Sequence, residues 1–262
     1  MNVLRCLAVL ILAASPALAD DKEALTQAVA RLGELGSYKF KGETEFQSQF
    51  GNAPPTIPTL DGVFQKDAGL YIKSDKGEMF KKDDRVFIKQ AQADWQDLSQ
   101  FQPPAPPAGK GPRAGGAFGK VMLRNVKAPH DELKDVVRGL KTVTKAEKTE
   151  KIGDIECFQY SGDMTDEAMK GSPLGRLLGT FGGANAEVKG SARLWLDGQG
   201  NIVIYETVTK ATLDFQGNQV DFSLTRRSEI TDADKAKLEV PEAVQKLLAE
   251  KAKPQKTEDK KE

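Results

Sequence analysis

Three long runs standing back to back constrain this fold more than any other stretch of the chain. They span 187–197, 202–215 and 219–230, joined by Gly198-Gln199-Gly200-Asn201 and by Gly217-Asn218. Gly/Asn pairs between apolar runs are the turn chemistry of β-hairpins. Side chains along a strand alternate between two faces. In the third run Val220, Phe222 and Leu224 share one face, and Asp221, Ser223 and Thr225 the other. The second run ends with Ala211, Leu213 and Phe215 opposite Thr212 and Asp214. An antiparallel sheet with one covered side carries this pattern.

More strands precede these. Residues 37–50 alternate, with Tyr38, Phe40, Thr44, Phe46 and Phe50 on one face and mostly Lys, Glu and Gln on the other. Short runs follow at 60–66, 69–74, 77–81, 85–90 and 95–98, separated by turn residues such as Asp83-Asp84, and they read as a meander. Residues 141–151 and 155–161 form a further hairpin around Gly153-Asp154.

Helices are few. Ala24, Leu25, Ala28, Val29, Leu32 and Leu35 recur at helical spacing over 21–35, and Gly36 ends that helix. Residues 118–123 and 129–140 read as helical, the second with Pro129 near its start and Asp131 and Glu132 in its first turn. Thr165 is the expected N-cap of a helix that Pro173 interrupts and 174–181 continue. Pro241 starts a last helix over 242–251. The fold class is therefore α+β: a curved antiparallel β-sheet, a half-barrel, wrapped around a few helices.

The ends and one internal segment stand apart. Residues 1–19 have the layout of a secretory signal peptide. Arg5 comes first, an apolar core follows, and Ala17-Leu18-Ala19 forms the cleavage site. The expected address is periplasmic or secreted, with the mature chain starting at Asp20. Residues 20–251 form a single β-rich domain. Within it, 102–116 is a flexible Pro/Gly loop, and 252–262 is a disordered charged tail. Only Cys157 remains after cleavage, so no internal disulfide supports the fold.

Composition excludes several roles. Basic and acidic residues balance at 38 each, which gives no pull toward nucleic acid. The single histidine, His130, is expected at the surface at a helix start rather than in catalysis. Cys157, within a strand, is expected to be a buried, inert thiol. The run Gly115-Gly116-Ala117-Phe118-Gly119-Lys120-Val121 lacks the Ser/Thr and the spacing of a phosphate loop. Neither an enzyme nor a cofactor is expected.

What covers the apolar face decides the function. Phe40, Phe46, Leu194, Leu213, Phe215, Phe222 and Leu224 are the candidate ligand-binding residues. One reading leaves a cavity there for a lipid or other apolar ligand. The other fills the space with side chains.

The chain resembles the exported half-barrel carriers of the LolA/LolB type and the mycobacterial LppX/LprG-type lipid carriers. The likeness runs through the early helix, Tyr38-Lys39-Phe40-Lys41-Gly42-Glu43-Thr44 and Gly69-Leu70-Tyr71-Ile72-Lys73. It continues through Arg85-Val86-Phe87-Ile88-Lys89 with Trp95-Gln96-Asp97-Leu98, Ala192-Arg193-Leu194-Trp195-Leu196-Asp197, and Leu238-Glu239-Val240-Pro241. It implies an apolar interior that takes acyl chains, and transient membrane contact. It also admits the alternative of a sensor or protein-interaction domain of the envelope, with a filled interior and a protein partner. No lipobox is present, and no acyl-binding residue transfers by motif.

Overall fold

The computed structural model describes residues 17–48, 59–100, 126–172, 187–215 and 218–250. Eleven strands form one open, curved antiparallel sheet, a half-barrel with helices of the α+β class. They are β1 (Ser37–Ser48), β2 (Leu60–Gln65), β3 (Gly69–Ser74), β4 (Gly77–Lys82), β5 (Arg85–Gln90), β6 (Gln96–Asp97), β7 (Thr144–Ile152), β8 (Ile155–Asp163), β9 (Glu187–Asp197), β10 (Ile202–Phe215) and β11 (Asn218–Thr231). The order across the sheet is β6-β5-β4-β3-β2-β1-β11-β10-β9-β8-β7. The two halves of the chain meet where β1 pairs with β11, from Lys39 opposite Thr231 to Ser48 opposite Phe222.

Four helices are described: α1 (Ala17–Glu34), α2 (Pro129–Gly139), α3 (Asp166–Gly171) and α4 (Glu242–Glu250). The expected signal-peptide core, the helix over 118–123, the loop over 102–116, the continuation over 174–181 and the tail lie outside the described residues. So does Phe50.

The inner face of the sheet carries the main core. Leu25, Ala28, Val29 and Leu32 of α1 are buried as the helical spacing requires. They join Leu133 and Val137 of α2 over Tyr38, Phe40, Leu70, Met79, Val86, Ile88, Leu194, Leu196 and Tyr205. Local chemistry holds these elements in place. Arg31 of α1 donates to the Gly200 carbonyl at 2.9 Å, tying the helix to the β9–β10 turn. Gly200 sits there at φ 78°, in the left-handed region that glycine enters without steric cost. The Asp197 carboxylate closes the same turn by accepting from the Gln199 and Asn201 N–H groups at 2.9 and 2.8 Å.

The outer face is not uniformly wet. Phe80 and Phe87 are fully enclosed under Val244, Leu247 and Leu248 of α4, with Tyr71, Trp95, Leu238 and Val240 around them. A second outer cluster joins Cys157, Trp195, Val203 and Ile204. The β10–β9 register shifts between Ile202 and Ile204, so the consecutive residues Val203 and Ile204 both join this cluster while Ile202 and Tyr205 enter the main core. Cys157 has no exposed surface, as expected of a buried thiol. Burial pushes that thiol up in pKa, with Asp197 and Glu150 adding to the shift.

His130 departs from the sequence reading. It lies at the start of α2, but that end of the helix is pressed against α1 and β1, and the residue is 7 % exposed. Its Nδ1 lies 2.7 Å from the Tyr38 hydroxyl, and its ring is edge-on to Phe64 at 4.7 Å between centroids.

Candidate ligand-binding face

The inner face can be followed rung by rung along β1, β11, β10 and β9, from the helix-covered end outward. Phe40 stands opposite Ile230 and opposite Gly62 of β2. A Cβ on Gly62 would collide with the Phe40 ring, so the glycine leaves the space that ring fills. The next rung aligns Gly42, Ser228, Tyr205 and Leu194. Leu194 is wholly buried in the core that α1 covers. Phe40 and Leu194 thus belong to the packed inner half.

The following rung is polar. Thr44 and Thr207 both stand opposite Arg226. Arg226 reaches Glu132 on the first turn of α2, donating Nη1 to Oε1 at 2.6 Å and Nη2 to Oε2 at 3.4 Å. A two-pronged contact of this kind fixes both side chains. Glu132 in turn holds the Arg226 guanidinium above its usual pKa. The Tyr205 hydroxyl, one rung inward, hydrogen-bonds with Ser228 and Glu132, and burial raises its pKa.

Beyond that rung the face turns apolar again. Phe46 stands opposite Leu224, and Phe222 opposite Ala211. The Phe46 and Phe222 rings are 6.0 Å apart between centroids and tilted by 33°, within the separation range of interacting aromatic pairs. Phe46, Phe222 and Leu224 are only half-buried, whereas Phe40 and Leu194 are enclosed. On the β9 side Met169 of α3 packs over Gly190, where a Cβ would collide with the Met169 sulfur. Leu213 pairs with Val220 and Phe215 with Asn218 in the register, and their side chains lie outside the described ones. The structure therefore brings Phe46, Phe222 and Leu224 together and separates them from Phe40 and Leu194.

The sequence reading missed the Arg226–Glu132 pair between these two groups. Nothing local signals a contact between residues 94 apart in the chain. It also gave no hint of a cavity of about 270 Å³ beside the β2–β3 and β4–β5 turns, lined by Phe64, Leu70, Lys81, Val126 and Asp131 among others. None of the seven candidate residues borders that cavity. Among the described residues no group of three or more His, Cys, Asp or Glu side chains is placed to hold a metal ion.

Fold and site together define an open antiparallel half-barrel with a packed inner half, a charged pair across its inner face, and an apolar outer half. No known family pattern matches the chain, and no curated protein does. Similar solved structures include LprF from Mycobacterium bovis, at 13% identity and a TM-score of 0.43, covering 86% of this chain and 97% of that one. They also include a LolA superfamily protein from Nitrosomonas europaea, at 8% identity and a TM-score of 0.31, covering 84% and 94%. At these scores neither likeness bears on function, which has to be read from the chain's own residues.

Proposed function

We propose that the chain is an exported carrier of lipid-like, apolar ligands, which it holds on the outer half of its inner face. The observation that carries this reading is the half-buried group Phe46, Phe222 and Leu224, on the same face as the enclosed Phe40 and Leu194. A side chain there keeps apolar surface to offer, and covering it with a ligand contributes about 25 cal/mol per Å². Export rests on residues 1–19. Two contacts beside the expected cleavage site would anchor the mature end. Asp21 accepts from the Lys145 N–H at 3.1 Å, and Lys22 donates to the Leu140 carbonyl at 2.7 Å. The carrier role needs no catalytic group.

The packed inner half favours a second reading, in which the interior is filled and the domain serves a protein partner. Mass spectrometry of an organic extract of the purified exported protein separates the two. Copurifying acyl-chain compounds, displaced by an apolar fluorescent probe, are expected of the carrier. A clean extract together with no probe binding would leave the filled domain.

A further inference from the structure

Resting on the carrier reading, we infer that Arg226 and Glu132 make this face select amphiphiles whose polar end is uncharged (a hydroxyl, ester or amide) over those ending in a carboxylate or phosphate. The pair lies where the apolar outer half meets the packed core, one rung inward of Phe46 and Leu224. A chain lying along the outer half therefore brings one end to it. The Arg226 side chain is 41% exposed and the Glu132 side chain 23%, so both can meet a ligand.

The chemistry of that rung is charge-balanced. Arg226 already gives both terminal nitrogens to Glu132. An arriving anion would have to break that fork, or sit beside the Glu132 carboxylate in a half-desolvated site where like charges repel strongly. A hydroxyl or ester meets no such cost. Either can accept from a guanidinium N–H or from the hydroxyls of Thr44 and Thr207, which flank Arg226 on either side, and a hydroxyl can also donate to a carboxylate oxygen. Tyr205 and Ser228 are neutral as well and bond with each other. Among the described residues of these two rungs of β1, β10 and β11, Arg226 alone is charged, and Glu132 of α2 balances it.

The test compares a monoacylglycerol, a fatty acid and a lysophosphatidate of one chain length at pH 8, each displacing an apolar fluorescent probe from the full chain. The wild type is expected to bind the monoacylglycerol about tenfold more tightly than either anion, a difference of roughly 1.4 kcal/mol. Glu132→Gln frees the guanidinium while keeping a hydrogen-bonding side chain, and should bring the anions level with or ahead of the neutral ligand. Should that variant fold poorly, Thr44→Val leaves the charges intact and is expected to weaken the monoacylglycerol alone. Anions bound as tightly as the neutral lipid by the wild type would overturn the selection and leave the carrier standing. An unchanged preference in Glu132→Gln would do the same. Failure of every probe to bind would remove the carrier reading, and this inference with it.

Discussion

Tyr38 and His130 meet through a 2.7 Å hydrogen bond between β1 and the start of α2, closed off from solvent by Phe64 and Gly33. With Nδ1 accepting from the hydroxyl, Nε2–H faces the Asp131 carboxylate at 3.4 Å, which assigns the neutral tautomer. Burial holds the imidazole below its usual pKa; Asp131 pulls it upward and Lys134 downward. A histidine depressed in the folded state takes up its proton more readily when unfolded. The stability this contributes is present above the unfolded value of about 6.5 and is lost as pH falls from there toward the folded value. The melting temperature of the wild type should therefore drop more between pH 7.5 and 5.5 than that of His130→Gln, which keeps an acceptor for Tyr38. Equal drops in the two proteins would dissociate His130 from the acid response.

Leu194 and Phe222 should respond differently to truncation. Leu194→Ala opens a cavity in an enclosed core and is expected to cost about 2–5 kcal/mol in urea unfolding. Phe222→Ala removes a ring that is only half-buried, and roughly 1–2 kcal/mol is expected. Its binding of an apolar probe should weaken, and with it the rise in melting temperature that ligand gives the wild type. A loss at Phe222 as large as that at Leu194, with probe binding unchanged, would place Phe222 in the packed core.

These contrasts show what the sequence could and could not reveal. The strands were legible because period-2 alternation and Gly/Asn turns are local signals, and β9, β10 and β11 emerge within a residue or two of their expected bounds. A single covered face was the wrong generalisation for two patches. Val86-Phe87-Ile88 and Leu194-Trp195-Leu196 are unbroken apolar runs, and such runs belong to strands buried on both sides. Phe87 and Trp195 do point to the outer clusters while their neighbours enter the main core. Tyr38 with His130, and Arg226 with Glu132, lie 92 and 94 residues apart, and no local pattern links them.

Cys157 belongs to the same lesson. Its strand neighbour Ile155 is 46% exposed, so the cover comes from Trp195, Val203 and Ile204 rather than from its own strand. A thiol that is buried and raised in pKa offers little thiolate to a reagent. Labelling by a maleimide should be far slower in the folded protein than in urea. Trp195→Ala should speed it by opening the patch. Folded wild type reacting at the denatured rate would contradict the burial.

Arg85 holds α4 to the outer face. It donates to the Leu247 and Leu248 carbonyls at 2.8 and 3.2 Å, in the last described turn of α4. A cation there also meets the negative end of the helix dipole. The guanidinium lies over the Phe87 ring, 4.8 Å from its centroid, and 3.4 Å from the buried Asp97 carboxylate. Replacing it by methionine keeps much of the packing volume but removes every one of these polar contacts, while Asp97 keeps its hydrogen bonds from Ser99. The expected cost is about 1.5–3 kcal/mol, the range for hydrogen bonds to a charged group. The loss should be local first: amide exchange in α4 should quicken and Trp95 emission shift to the red as Phe80 and Phe87 lose their cover. Amides of α1, on the inner face, and of β10, in the other half of the sheet, should keep their protection at pH 7. Uniform deprotection across both faces would mean that α4 is part of one cooperative core and not a separately held strap.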